Sequence, residues 1–433
     1  MENKLIYIDS YGCSANQNNS EIIAGLLTQS GHKITNNPKI ADIHIINSCV
    51  VKKKTENKIK RKIQDLYKLN KKTIVTGCMP DSDSQSISKL NPKALQLSSH
   101  NIKSINQILN NQSLKIIQNG RNNHEEKVFL PKIPFNKLIS ITQILEGCMS
   151  SCSFCKTKLA KGNVFSYSQY NILKSIESDL KNGAKEIWIT SQGNECYGMD
   201  RGKQELPELI KKILNLNYKF KIRIGMMNPK NFFSISDEIM ELYKNKKIYK
   251  FLHLPIQSGS NKILKDMRRI YTIEQVENSI HKFRENFPGI TIATDIITGY
   301  PKEKDEDHKK TIEFIKKVRP DVLNLSKFSK HKKTPAELFK ELDIKIINKR
   351  NKEIMNLHRQ TAFENKLKFL NRKNKVFVNK KISDNLYEGR DENYNIVLLS
   401  SDKKITGKNL EVIITKIGVH HMIGEIFYGK AFK

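Results

Sequence analysis

The chain has 433 residues, 38% of them apolar, enough for two to four domains with cores of their own. Lys and Arg number 76 against 44 Asp and Glu, a net charge of +32, which points to a polyanion, most often nucleic acid; a Lys-rich proteome bias is the bland alternative. No run approaches the roughly 18 apolar residues of a membrane span, and no cleavable signal pattern opens the sequence, so a soluble, cytoplasmic protein without membrane partners is expected.

Residues 1–110 alternate short apolar runs with helical stretches. Leu5–Ile8 reads as a strand, Glu21–Gln29 as a helix, Ile43–Ile46 as a strand, Lys52–Leu69 as a helix and Thr73–Thr76 as a strand. That alternation predicts a parallel α/β domain. Residues 111–137, polar and carrying Pro131 and Pro134, read as a linker. Within 138–371, strands are expected at Ile139–Leu145, Glu186–Thr190, Lys221–Gly225, Phe251–Pro255, Thr291–Ile297 and Val322–Leu325. Six βα units predict a partial (β/α)6 barrel, trailed by charged helices. In 372–433, short strands at Val376–Val378, Ile396–Leu399, Val412–Ile414 and Met422–Phe427 predict a small all-β barrel.

Seven cysteines in a long chain argue against a disulfide scaffold and for metal or redox ligands. Cys148, Cys152 and Cys155 form Cys-x3-Cys-x2-Cys just after an expected strand. Three thiolates on one short loop can hold three irons of a [4Fe–4S] cluster and leave the fourth open to chelate a methionine moiety. Structural zinc would need a fourth ligand, and no matching Cys pair lies nearby. Cys13, Cys49 and Cys78 are scattered, yet each follows an expected strand. In a parallel sheet those loops converge on one edge, so the three thiols can meet there. Gly12 and Gly77 precede two of them and would let the backbone approach a bulky ligand. Three buried, inert cysteines remain the alternative.

The run Gly147–Cys155, continuing through Lys156-Thr157-Lys158-Leu159-Ala160-Lys161-Gly162, resembles the radical S-adenosylmethionine methylthiotransferases. Arg223–Pro229, His253–Ser260, Met267–Tyr271 and Asp295–Pro301 extend the resemblance over nearly the whole chain. Lys-Thr-Lys, where bacterial members usually carry a proline, points to the archaeal and eukaryotic type, which acts on N6-threonylcarbamoyladenosine beside the tRNA anticodon. Lys161 departs from the family's usual Arg, keeping charge but losing the planar fork. The resemblance implies two [4Fe–4S] clusters, the second on Cys13, Cys49 and Cys78 as the source of sulfur, with S-adenosylmethionine as cosubstrate. It also implies tRNA, an electron-donor protein and a sulfur source as partners. Cys196 reads as incidental, since both trios are complete without it.

A cosubstrate needs polar groups at strand ends and an apolar shelf for adenine. Ser191, Gln192, Asn228, Gln257, Ser258 and Asp295 stand at such ends; Arg268 could pair with a carboxylate, and Phe154 could flank adenine. Neither a Walker loop nor a dinucleotide fingerprint is present. Residues 52–72 hold ten Lys/Arg against two acids, and 327–333 add four positives. Lys53, Lys58, Arg61 and Lys62 are the expected phosphate contacts. The carboxyl-terminal barrel resembles the family's appended RNA-binding (TRAM-like) domain; Arg390 and Tyr394 in its turn are expected RNA contacts, with Tyr387 and Phe427 as further stacking candidates. Two alternatives stay open: a methylthiotransferase for isopentenyladenosine tRNA or a ribosomal protein, and a non-catalytic iron–sulfur RNA-binding redox sensor.

Overall fold

The computed structural model describes residues 3–111, 115–117 and 124–427. The chain divides into two compact units, one of residues 1–182, 189–213 and 329–338, the other of 183–188, 214–328 and 339–433.

In the first unit the β-branched runs become strands β1 (Leu5–Ser10), β2 (Lys33–Ile34), β3 (Ile43–Ser48), β4 (Lys72–Gly77), β5 (Leu95–Leu97) and β6 (Ile116–Ile117). They form one sheet in the order β2-β1-β3-β4-β5-β6, and every pairing is parallel. Register aligns Ser10 with Asn47 and Ser48 with Gly77, so β1, β3 and β4 end level with one another. Helix Lys53–Lys68 shows why a basic sequence still folds here: Glu56, Ile59, Ile63 and Leu66 recur every three or four residues and are buried, while the lysines take the other faces.

The helix after β1 starts at Ser14, seven residues before the apolar pattern begins. Its first turns bury Asn16, Asn18, Asn19 and Ser20, which a hydropathy reading assigns to a loop. Hydrogen bonds account for the burial: Asn16 Nδ2 donates to Tyr11 O at 2.8 Å and Ser48 O at 2.9 Å, and Asn47 Nδ2 donates to Ser20 Oγ at 2.8 Å. In the segment read as a linker, β6 extends the sheet, and Lys127 and Val128 are buried. Residues 112–114 and 118–123 lie outside the described residues. The strand expected at Ile139–Leu145 is broken into β7 (Ile139–Gln143) and β8 (Leu145–Glu146), and β8 pairs antiparallel with β9 (Phe165–Ser166).

Strand β10 (Glu186–Thr190), whose residues 186–188 belong to the second unit, lies next to β11 (Lys221–Ile224). Strands β12 (Phe251–His253), β13 (Thr291–Thr298) and β14 (Val322–Lys327) form a parallel sheet in chain order. The last five strands are β15 (Lys373–Ser383), β16 (Leu386–Arg390), β17 (Ile396–Ser400), β18 (Asn409–Ile417) and β19 (Met422–Ile426). They close into a barrel, β15-β16-β17-β19-β18, filled by Val376, Val378, Tyr387, Val397, Leu399, Val412, Ile414 and Met422. Tyr387 is therefore core, not a base-stacking surface. Tyr394 is corrected likewise: it is buried against Tyr249, Phe251 and Trp188, with ring centroids 5.0, 5.1 and 6.1 Å away. Its left-handed φ of 66° is held by the turn that Asp391 caps, accepting from the backbone N–H of Asn393 at 2.9 Å and of Asn395 at 2.8 Å.

Candidate active site

Level strand ends bring the scattered cysteines to one edge. Cys13 precedes the helix Ser14–Gln29, Cys49 follows β3, and Cys78 begins a helix straight after β4. Two glycines make the approach possible. Gly12, at φ +102°, would place a Cβ 2.9 Å from Cys49 Sγ, and Gly77, at φ +85°, would place one 2.4 Å from Ser48 O. All seven cysteines are free thiols; Cys13 is exposed, and Cys49 and Cys78 are buried. Burial raises the pKa of both buried thiols, and a neighbouring thiol adds to it: Cys13 for Cys49, Cys49 and Cys13 for Cys78. A bound cation is what turns such thiols into thiolates.

The second trio lies on the loop after β8. Cys148 N donates to Gly162 O at 3.3 Å, Cys155 N to Cys152 O at 3.2 Å, and Ser150 N to Cys148 Sγ at 3.4 Å. Lys158 Nζ donates to Cys148 O, and to Asn163 Oδ1 at 3.1 Å. Gly147, at φ +79°, packs so closely on Asn163 that a Cβ would overlap its carbonyl. Lys156, directly after Cys155, is buried and pairs with the buried Glu56 at 3.3 Å; Glu56 also takes Lys60 at 2.9 Å. Ion pairing thus fastens this loop to the amino-terminal sheet's own helix. Three free thiols with backbone donors beside them form a donor set that fits a [4Fe–4S] cluster with one open iron.

A buried polar hub lies just before the cysteine loop in the chain. Glu146, two residues before Cys148, is bonded by Lys127 and lies 3.5 Å from both Lys161 Nζ and His100 Nδ1. Lys127 also donates to Ser99 O at 2.7 Å, and Lys161 to Ser99 Oγ at 3.1 Å. His100 bonds through Nε2 to Ala160 O at 2.9 Å and faces His124 Nδ1 at 3.1 Å. Burial pushes the His100 imidazole down to about 4, so it is neutral at pH 7. Against burial, the Lys127 and Lys161 ammoniums hold the Glu146 carboxyl well below its usual range. His100, His124 and Glu146 are the one group of three among the described residues whose ligand atoms all lie within 4.8 Å of one another, a candidate metal centre. Its carboxylate is already shared by two ammoniums of the chain itself. The hub escapes sequence reading because its members are isolated polar residues spread from 99 to 161.

Among the expected cosubstrate contacts, Phe154 is half-buried in the cysteine loop, and Ser191 is buried, its Oγ bonded to Asn194 Oδ1 at 2.9 Å. Gln192 Oε1 is buried with no hydrogen-bond partner among the described residues. Cys196 is buried and donates to Glu195 Oε1 at 3.2 Å; the Glu195 carboxylate is close enough to Cys148 to raise its thiol, after burial.

In the second unit Asn228 caps the helix Pro229–Phe232 through Lys230 N at 3.3 Å. Gln257 sits in left-handed backbone, φ 82°, and donates from its N to Asp295 O at 2.7 Å. Asp295 Oδ2 is 3.0 Å from His253 Nε2, a pairing the sequence did not single out. Ser258 is buried and accepts from Ser260 N at 3.2 Å. Arg268 is exposed; its neighbour Arg269 is the buried one, bonding Pro255 O and, at 2.9 Å, Tyr271 OH. Tyr271 OH donates to Ile256 O at 2.6 Å, so this pair fixes the backbone that presents Gln257.

Of the expected phosphate contacts, Lys53, Lys58 and Arg61 are exposed on helix Lys53–Lys68, and Lys62 is half-buried. Lys327, Lys330, Lys332 and Lys333 are exposed as well. Arg390 is half-buried and bonds Glu388 Oε1 at 2.8 Å and Tyr394 O at 3.3 Å. Phe427 is half-buried with Lys373 Nζ 3.6 Å from its ring centroid. Among the described residues, no helix is long and apolar enough to cross a membrane.

Comparison with known proteins places this architecture. The uncharacterized family UPF0004 matches residues 5–98, and the radical SAM superfamily matches residues 142–315. The fold is therefore an amino-terminal parallel α/β domain, a central partial (β/α)6 radical-SAM region and a small carboxyl-terminal β-barrel. In fold the chain is similar to the radical S-adenosylmethionine methyltransferase TsrM of Kitasatospora setae, with a TM-score of 0.57 at 12% identity over 78% of this chain and 77% of that one. It is 34% identical, over 97% of its own length and 99% of the relative's, to a probable threonylcarbamoyladenosine tRNA methylthiotransferase of Pyrococcus horikoshii. Identity to the human threonylcarbamoyladenosine tRNA methylthiotransferase is 30% over 97% of this chain and 73% of that one. With near-complete coverage at that identity, the chain belongs to the threonylcarbamoyladenosine tRNA methylthiotransferase family of radical SAM enzymes.

Proposed function

We propose that the protein inserts a methylthio group at C2 of N6-threonylcarbamoyladenosine in tRNA, with S-adenosylmethionine as cosubstrate. The observation that carries this reading is the level edge of β1, β3 and β4, where Cys13, Cys49 and Cys78 stand as free thiols, in a chain that also carries the Cys148–Cys152–Cys155 loop. When bound, a [4Fe–4S] cluster on the loop supplies the electron that cleaves the cosubstrate, and one on the scattered trio supplies sulfur.

The chain's own part is placement. Lys156 and Lys158 hold the cysteine loop at its two ends, through Glu56 beside Cys155 and through the Cys148 carbonyl. Phe154, Ser191 and Gln192, with Asn228, Gln257, Ser258, Arg268 and Asp295, are the proposed cosubstrate contacts. Arg269 and Tyr271 act through Gln257, holding the backbone that presents it. On the helix Lys53–Lys68, Lys53, Lys58, Arg61 and Lys62 take tRNA phosphates. Arg390 is proposed to reach RNA from the rim of the small barrel, with Phe427 rather than the buried Tyr394 as its stacking surface. An electron-donor protein and a sulfur source complete the partners. Free thiols throughout suit a reducing compartment such as the cytoplasm.

The test is nucleoside mass spectrometry. Anaerobically reconstituted protein with S-adenosylmethionine, reductant, sulfide and threonylcarbamoyladenosine-containing tRNA should yield the 2-methylthio nucleoside. Product on isopentenyladenosine tRNA instead would replace the proposed substrate.

A further inference from the structure

Among the buried charges of the first unit, Lys161 stands beside a carboxylate that a second ammonium already contacts more closely. It ends the helix Lys156–Lys161 and is 1% exposed. Glu146 is already neutralised through its shorter contact with Lys127. Asp81, a half-buried carboxylate nearby, accepts from Ser99 N at 3.3 Å and is drawn on by Lys161 only at longer range. A second buried ammonium is costly where one suffices for the nearest carboxylate, and an apolar side chain of similar length would fill the space with less desolvation.

Its neighbours show what else it serves. Ala160, the preceding residue, packs in one apolar cluster with Cys49, Cys78 and Met79. Glu146 is the main group that holds the ammonium charged against the pull of burial; Cys78 and then Cys13 add to it once they are thiolates, and Cys49 feels the same charge. An ammonium has three N–H donors. Ser99 Oγ at 3.1 Å and Glu146 Oε2 at 3.5 Å account for two.

We propose that Lys161 is the counter-charge for an anionic sulfur ligand, a hydrosulfide or persulfide, held at the Cys13–Cys49–Cys78 site. The inference rests on reading that trio as the sulfur-supplying centre. Three thiolates already crowd negative charge there, and a further sulfur anion adds to it. In a water-poor setting, one fixed positive charge offsets that repulsion far better than solvent does. The role asks for charge and reach rather than a planar fork, so lysine fills it.

The experiment uses the full chain carrying Cys148→Ala, Cys152→Ala and Cys155→Ala, so that any cluster signal belongs to the amino-terminal trio. Sodium hydrosulfide is titrated anaerobically against the reconstituted protein, without cosubstrate or tRNA, and followed by electron paramagnetic resonance. Lys161→Gln keeps a donor for Ser99 while removing charge; Lys161→Met covers the case in which the amide disturbs the buried carboxylate. Either should weaken hydrosulfide binding about tenfold or more and move the midpoint potential to more negative values. Lys161→Arg should stay within about threefold of the parent. Equal hydrosulfide affinity in a charge-removed variant that retains its irons overturns the role of Lys161 alone. A parent protein that binds no iron overturns the two-cluster reading, and this inference with it.

Discussion

Asn379 of the small barrel donates its side-chain amide to both carboxylate oxygens of Glu186 on β10, at 3.2 and 3.3 Å. Glu186 is fully buried and also receives Tyr249 OH at 2.7 Å and Trp188 Nε1 at 2.9 Å. One strand higher, Arg223 lies over the rings of Trp188, Phe251 and Tyr394, with Tyr394 reaching in from the barrel's turn. The small barrel is thereby part of the second unit's core, and its removal does more than delete an RNA-binding surface.

Truncation after Leu370 should therefore leave a buried carboxylate short of a partner and uncover three aromatic rings. Loss of a hydrogen bond to a charged group costs about 1.5–3 kcal/mol, and exposing each large ring about 1.5–3 kcal/mol more. Such a protein should melt well below the full chain and tend to aggregate. Asn379→Ala, which keeps the barrel, should lower the melting temperature by a few degrees, about what 2 kcal/mol gives for a domain of this size. A truncated chain with an unchanged melting curve would show that the barrel is a free appendage.

The same turn should leave a mark on the pH dependence of stability. Burial pushes the Asp391 carboxyl up to about 6, against the hydrogen bonds from Asn395 and Asn393. An acid whose folded pKa is raised binds its proton more tightly when folded. Its contribution is fully present below the unfolded pKa of about 4 and is lost as pH rises to about 6. The loss is at most about 3 kcal/mol. His358 has the opposite sign: burial lowers it to about 4, so its contribution is lost as pH falls from about 6.5 towards 4. Urea unfolding across pH 4–7 should show Asp391→Asn with a steeper gain in stability as pH rises than the wild type. Parallel curves would contradict the burial of that carboxylate.

Iron content tests the cysteine assignments directly. Reconstituted wild type should bind about eight irons, and alanine at Cys148, Cys152 and Cys155 should leave about four. Cys49→Ala should spare uncoupled cleavage of S-adenosylmethionine and abolish methylthiolation. A wild-type value near four would remove one of the two centres.

How much of this was legible beforehand follows from what hydropathy and spacing can carry. Cys148, Cys152 and Cys155 sit within eight residues, and Cys13, Cys49 and Cys78 follow β-branched runs, so both trios could be read from the chain. The polar opening of the helix at Ser14 could not, because Asn16 and Asn18 owe their burial to partners at Ser48 and Ile141. Tyr394 fitted a stacking role on residue type alone; only tertiary packing shows it facing Tyr249 and Phe251. Arg268 and Arg269 are adjacent and chemically alike, and the turn after helix Asn261–Asp266 decides which is buried.

Glu56 offers a sharper test of how the cysteine loop is held. It is 1% exposed and pairs with Lys156 and Lys60. Glu56→Gln leaves the Lys156 ammonium buried beside Asp83 alone, 3.9 Å away. Breaking a buried pair in this way costs about 3–5 kcal/mol. The variant should melt lower and load iron poorly at Cys148, Cys152 and Cys155, with Glu56→Asp intermediate. Full iron loading in Glu56→Gln would show that the loop is set by its backbone hydrogen bonds instead.

The basic helix is the last test, and salt decides it. Lys53, Lys58 and Arg61 are exposed, with acids to answer few of them: Glu56, 4.0 Å from Lys53, is already committed to Lys60 and Lys156. Lys58 Nζ lies 5.4 Å from the Tyr11 ring, beside Gly12 and Cys13, which places this charge next to the amino-terminal trio. Phosphate binding there would bring tRNA to the edge that carries Cys13, Cys49 and Cys78. For every phosphate that is no longer neutralised, the log–log salt dependence of binding should flatten by about 0.9 on a duplex and about 0.7 on a single strand. Exchanging Lys53, Lys58, Arg61 and Lys62 together for Gln should therefore weaken tRNA binding most at low salt and reduce the slope by about 2 to 4 if most of the four touch phosphate. The melting temperature should hold, since the helix buries its other face through Ile59, Ile63 and Leu66. A fourfold variant with the wild-type slope would make this helix an ordinary solvated face and move the tRNA path to other lysines, Lys327 to Lys333 first.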